Sequence, residues 1–200
     1  MTTEFLTAEQ KAQYGQFSCD PHEAQLAQYF HLDEADLSFI MNRRGNQNRF
    51  GFALQLTSVR FLGTFLSDLT LIPANVQAFV ALQLSINDVG ILIEYAQRGT
   101  TKREHTALIR KYYGYSELKG SLAFRLNRLL YTRAWISNER PSLMFDFATA
   151  WLTQNKILLP GASTLSRLVI EIRSRATNQL LQRLSSLPTS EQKEKLETIL

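Results

Sequence analysis

The sequence predicts an all-α protein, and three observations carry that prediction. Helix start and stop residues recur from one end to the other, apolar residues return at three- and four-residue intervals, and no stretch alternates like a strand or joins two β-rich runs through an Asn-Gly turn. Two hundred residues with 44 % hydrophobic content suffice to close a core without disulfides or metal. Two small helical subdomains, built as helix-turn-helix-like bundles, are expected within residues 1–98 and 99–200. The division is placed where composition turns from acidic and apolar to basic, near "QRGTTK".

The elements follow in order. In "DPHEAQLAQYF", Asp20 reads as an N-cap, Pro21 as the first helical residue and Glu23 as the partner in a capping box, giving a helix over about 21–30. Asp33 and Asp36 repeat the signal for "LDEADLSFIMNRR", and Gly45 supplies the left-handed residue that stops a helix. Asn46 then caps a helix over 47–66, and Pro73 opens another to Ser85. Asp88 caps "VGILIEYAQ", which stops at Gly99. Thr101 with Glu104 forms a capping box for a helix that stops at Gly114. Helices over 116–136 and 141–155, one through "LPGASTLSRLVIEIRSRATNQLLQRL", and a last one after Pro188 complete the set. The final "EKLETIL" carries no cap, which suggests a chain cut from something longer.

Charge is distributed unevenly. Residues 1–40 hold one base against seven acids, 41–60 hold four arginines and no acid, and 101–140 hold nine bases against three acids. Basic islands of this kind point to a polyanionic partner. Wound as a helix, 49–66 is apolar on most of its circumference and leaves a stripe of Arg49, Ala53, Thr57, Arg60 and Thr64 as an outward cationic edge. Two readings of its arginines stay open: pairing with acids of the first forty residues, or contact with DNA phosphates. The phosphate reading takes in Arg43, Arg44, Arg49 and Arg60, with the amides of Asn46, Gln47 and Asn48 as hydrogen-bonding neighbours.

In the second island, Leu108, Ile109 and Tyr112 form an apolar face beside a packed His105. Lys102, Arg103, Arg110 and Lys111 point away from it. On the next helix, Arg125 and Arg128 lie with Ser121 and Thr132 on a polar stripe between a leucine face and an aromatic face of Phe124, Tyr131 and Trp135, which reads as core, with base stacking as the lesser alternative.

Other classes are disfavoured. The single Cys19 cannot form an internal bridge, the polar start is no secretory signal, and no apolar run reaches a membrane span, so the chain reads as cytoplasmic. His22, His31 and His105 lack metal-ligand spacing, and no glycine loop suits a phosphate. No cofactor and no catalysis are expected of this piece.

The segments "LTAEQKAQYGQF", "DPHEAQLAQYFHLDEADLSFIMNRRGNQNRFGFALQLTSVRFLGTF", "QLSI", "RGTTKREHTALIRKYYGY" and "LLPGASTLSRLVIEIRSRA" are similar, in that order, to the N-terminal region of the Tn-three family of replicative transposases. The resemblance implies an all-helical region that recognises the terminal inverted repeats of a transposon in double-stranded DNA. It also implies a bacterial protein, associated with the nucleoid when bound, that is a homodimer at full length. Catalysis in that family resembles other acid-triad transposases, whose carboxylates hold two Mg²⁺ ions. That part lies downstream, so none of the acids here is assigned to a metal. The competing expectation is a helical assembly or dimerisation module without direct sequence-specific DNA contact.

Overall fold

The computed structural model describes residues 5–189 and 192. Among the described residues the fold is all-α, and extended pairing is confined to an isolated bridge between Ser116 and Ile157. No helix of the described residues is long and apolar enough to cross a membrane.

After α1 (Ala8–Gln13), a short α2 (Glu23–Gln25) runs on as a π-helical turn over Leu26–Phe30. Its cap is His22 and not Asp20: the His22 ring accepts from the Gln25 amide, and the Gln25 side chain accepts from the His22 N–H. Pro21 stays outside the helix because it is buried and its carbonyl accepts from Asn75 Nδ2 at 2.8 Å. The expected Asp33 and Asp36 capping box does form, and it opens α3 (Glu34–Met41).

Gly45, at φ 85°, lets the chain enter α4 (Asn46–Leu62), and Gly63, at φ 72°, ends it. The helix therefore stops short of residue 66, since a left-handed glycine closes the last turn. Pro73 immediately precedes α5 (Ala74–Gln83), and Asp88 accepts from the Gly90 amide ahead of α6 (Leu92–Ala96). Helix α7 (Gly99–Tyr113) begins before Thr101, with the Lys102 amide already bonded to the Arg98 carbonyl, so the expected Thr101 box is not the cap. Gly114 ends α7 in the left-handed conformation, as its position predicts.

Ser116 is drawn into the bridge, donating to the Lys156 carbonyl and accepting from the Leu158 amide, and this delays α8 (Gly120–Ile136). Helices α9 (Pro141–Gln154) and α10 (Ala162–Ser186) follow. The helix expected beyond Pro188 lies outside the described residues.

Two compact units result: residues 8–118 with 150–159, and residues 119–149 with 160–189 and 5–7. The division differs from one near Gly99 because α7 packs on α4 and α6, which keeps it with the first unit. Within the second unit, α8 packs along α10 through buried Leu126, Leu130, Leu165, Val169, Ile172 and Ala176.

The first unit is organised around α4. Every residue from Phe50 to Val59 is buried, because α3, α5, α6, α7 and the π-helical turn all pack on this helix. The approach is closest at Gly51, where a β-carbon would lie 2.1–2.3 Å from Tyr95 ring atoms. That ring is held by its own hydroxyl, which Gln55 Nε2 meets at 2.8 Å and His105 Nδ1 at 2.9 Å.

Alanine gains about 1 kcal/mol over glycine in a helix interior, but overpacking a well-filled core costs about 1–3 kcal/mol. With a β-carbon this close to the Tyr95 ring the cost lies at the upper end, and Gly51→Ala is expected to destabilise the protein by about 2 kcal/mol in denaturant unfolding. In a Tyr95→Ala background the same substitution is expected to be neutral or stabilising.

Candidate nucleic-acid interface

The two readings of the α4 arginines resolve at Asp36. Arg60, in the last turn of α4, forms a bidentate pair with this carboxylate in the first turn of α3, with Nη1 2.8 Å from Oδ2 and Nη2 2.7 Å from Oδ1. Tyr113 donates to Oδ1 at 2.8 Å, and the Asp33 amide donates to Oδ2. Burial alone would raise the Asp36 pKa. The hydrogen bonds from Arg60 and Tyr113, the Arg60 charge and the Asp33 amide outweigh it and hold the carboxyl below its ordinary value. Arg60 also lies 5.3 Å from the Tyr113 ring centroid.

Arg60 is therefore corrected from an outward cation to the mate of a buried acid. Arg49 is likewise engaged: its Nε donates to the Arg43 carbonyl at 3.0 Å and its Nη2 to the Met41 carbonyl at 3.2 Å. A guanidinium there satisfies orphan acceptors at the end of α3. Between the two arginines, Ala53 and Thr57 are fully buried, and the Thr57 hydroxyl turns back to the Ala53 carbonyl. The expected cationic edge along α4 is not an edge, because a helix packed on all sides has none to offer.

Other cations of this unit lie between α3 and α4 and on α7. Arg43 is half-buried, with its guanidinium 5.2 Å from the Phe39 ring centroid and 5.6 Å from that of Phe52. Arg44 and Asn46 are exposed, Gln47 is half-buried, and Asn48 donates to the Arg44 carbonyl. On α7, Arg103 and Lys111 are exposed, Lys102 donates to the Ser67 carbonyl, and Arg110 pairs with Glu117 at 2.8 Å.

The structure joins the two basic islands through aromatic rings. Tyr112 stacks on Phe39 with centroids 4.0 Å apart and planes 11° from parallel. Sequence reasoning placed Tyr112 on the buried face. The core side of α7 instead runs through His105, Ile109 and the half-buried Tyr113, which leaves Tyr112 56 % exposed beside Lys111. The one signal that could have found it is the spacing of His105, Ile109 and Tyr113 at successive four-residue steps.

The second unit carries exposed Arg125 and Arg128 on α8, opposite buried Leu126 and Leu130. The aromatic face expected to be core is only partly so: Phe124 is 67 % exposed, while Tyr131 and Trp135 are half-buried and stacked on each other.

His105 is packed, as its place on α7 predicts. Gln55 donates to the Tyr95 oxygen, so the Tyr95 hydroxyl is free to donate to His105 Nδ1, and Thr106 donates to Gln55 Oε1. Burial, reinforced by the Arg43 charge, lowers the His105 pKa to about 4. At neutral pH the ring is therefore uncharged and accepts at Nδ1.

This chain belongs to the family described as a domain of unknown function, DUF4158, whose profile matches residues 5–172. Curated proteins to which it is similar are transposases. It is 61 % identical over 189 residues to the transposase for transposon gamma-delta of Escherichia coli (strain K12), covering 94 % of this chain and 19 % of that protein. It is 33 % identical over 197 residues to the transposase for transposon Tn1546 of Enterococcus faecium, covering 98 % of this chain and 20 % of that one. With the transposase for transposon Tn501 of Pseudomonas aeruginosa it shares 30 % over 180 residues, 88 % of this chain and 18 % of that protein. The chain thus spans about one fifth of the length of these relatives.

Two stability measurements check the buried groups. Asp36→Asn leaves Arg60 without its mate and is expected to cost about 3 kcal/mol in denaturant unfolding. Because the folded Asp36 pKa is lowered, the stability it confers is full above the unfolded value near 3.8 and is lost as pH falls through the folded value. His105 acts in a higher window: its folded pKa of about 4 lies below the unfolded 6.5, so the unfolded chain binds the extra proton between them. Stability is expected to fall by about 3 kcal/mol as pH drops from 6.5 to 4. His105→Gln should flatten that part of the profile.

Proposed function

We propose that this chain is the DNA-recognising N-terminal region of a transposase, which binds double-stranded DNA at transposon terminal inverted repeats. The observation that carries this reading is the set of exposed cations on both units: Arg44, Arg103 and Lys111 on one and Arg128 on the other, with exposed Arg125 a turn before Arg128. Arg43, Asn46, Gln47 and Asn48 flank Arg44 in the chain and supply further donors. Phosphate neutralisation provides most of the affinity of such a surface, and a few side chains provide sequence preference. Arg49, Arg60, Lys102 and Arg110 are held by carbonyls or carboxylates of the chain, and the proposal does without them. Catalysis belongs to another part of the full transposase, which would act as a homodimer on DNA in the bacterial nucleoid.

A second reading, an assembly module, has its own observation. Leu180, Leu181, Leu184 and Leu187 stand exposed at the end of the second unit, and Leu184 and Leu187 are 52 % and 74 % exposed. Apolar residues gathered in this way mark protein contact surfaces.

A salt-titrated binding assay with the element's terminal repeat and a shuffled duplex separates the readings. If about six phosphates are contacted, log K is expected to fall with log salt at a slope near −5. Arg44→Ala, Arg103→Ala and Arg128→Ala are each expected to reduce that slope by about 1 without loss of helicity. A flat salt dependence defeats the DNA reading, and equal affinity for both duplexes with concentration-dependent self-association favours assembly.

A further inference from the structure

We propose that the groove between α8 and α10 seats a single unstacked nucleobase of DNA, at a frayed end, an overhang or a bulge. This deepens the DNA-binding reading above and rests on it. The groove, of about 310 Å³, is lined by Tyr131, Thr132, Trp135 and Ile136 of α8 and by Gln179 and Arg183 of α10. That volume is at the small end of ligand pockets, enough for one planar ring system and not for a stretch of strand.

The lining chemistry selects the occupant. The Tyr131 and Trp135 rings lie 22° from parallel with centroids 6.1 Å apart, and the Arg183 guanidinium sits 5.3 Å from the Trp135 ring centroid. Tyr131 donates to Gln179 Oε1, which orients that side chain and leaves its NH₂ to donate elsewhere. No carboxylate lines the groove. It therefore offers π faces, a hydroxyl, amide hydrogens and a cation, which is the complement of an acceptor-rich aromatic ring attached to phosphate.

The wider surface agrees. Arg128 and Arg125 lie about one and two turns before Thr132 on α8, and both are exposed, so a backbone held along that stripe would deliver a base to the groove. Duplex stacking hides base faces, so the ligand is a base outside the stack.

The experiment uses the Trp151→Phe variant, which leaves Trp135 as the only tryptophan. Three terminal-repeat duplexes are compared: blunt, with one unpaired base, and with an abasic sugar at that same position. The unpaired base is expected to tighten binding roughly tenfold over the blunt duplex and to quench Trp135 emission, while the abasic sugar does neither. Arg183→Ala is expected to remove most of the gain, and Trp135→Leu to remove it entirely, with circular dichroism melting to verify the fold of each.

Equal affinity for base and abasic duplexes with unchanged Trp135 emission overturns the inference, as does quenching by an acidic peptide but by no base. Because the abasic comparison alters the DNA and not the protein, it stands even where a variant fails to fold. Salt-dependent binding of the blunt duplex with no base-dependent gain strikes the groove alone. Failure of the blunt duplex to bind at all strikes the DNA-binding reading and this inference together.

Discussion

A helix enclosed on every side must look inside the protein for partners to the polar groups it carries, and α4 imposes this constraint on the whole first unit, meeting it at Gln55, Thr57 and Arg60 but not at Ser58, whose buried hydroxyl has no partner. Desolvating an amide or hydroxyl without a hydrogen bond costs a few kcal/mol, and a bare charge costs far more. Thr57 answers by returning its hydroxyl to its own helix, and Gln55 by joining Tyr95 and Thr106. Arg60 answers with Asp36, and in doing so ties the end of α4 to the start of α3 and, through Tyr113, to the end of α7. The glycine at 51 belongs to the same solution, since only a residue without a side chain admits the Tyr95 ring that Gln55 and His105 hold.

Much of this was legible locally. Asp33 with Asp36, Gly45, Pro73, Asp88 and Gly114 each announce a helix boundary by chemistry confined to one turn, and the structure places a boundary at or next to each. The misses are those where a distant contact competes with a local rule. Pro21 is claimed by Asn75, so the cap passes to His22; Ser116 is claimed by residues 156 and 158, so α8 starts late. The face arithmetic for α4 failed for a related reason, since it assumes that a helix has an outside. Acid excess in the first forty residues hinted at a mate for Arg60, yet no spacing rule links positions twenty-four apart.

The charge pattern changes meaning once the pairs are known. A run of four arginines without an acid looked like one surface, but it divides into Arg60 with its carboxylate, Arg49 bound to carbonyls, Arg43 against aromatic rings, and Arg44 in solvent. Of that run only Arg44 is an exposed cation, and other exposed cations lie on α7, α8 and α10. Tyr112, which the pattern assigned to the interior, emerges among them as a flat ring backed by Phe39. A surface of that composition suits a polyanion with planar groups better than a uniformly basic stripe would.

The bridge between Ser116 and Ile157 has a consequence for the order in which the molecule is made. Residues 8–118 leave a ribosome well before 150–159, the strip that completes the same unit by threading back through Gly63 and Ser116. At about 5–20 residues per second, that strip arrives some seconds later. Until then Ser116 lacks the Lys156 carbonyl and the Gly63 carbonyl lacks the Leu159 amide. The second unit is interrupted by the same strip, so its residues 119–149 must wait while the first unit is completed at residue 159 and for 160–189 to follow. A cut near the middle of the chain would therefore yield two incomplete halves.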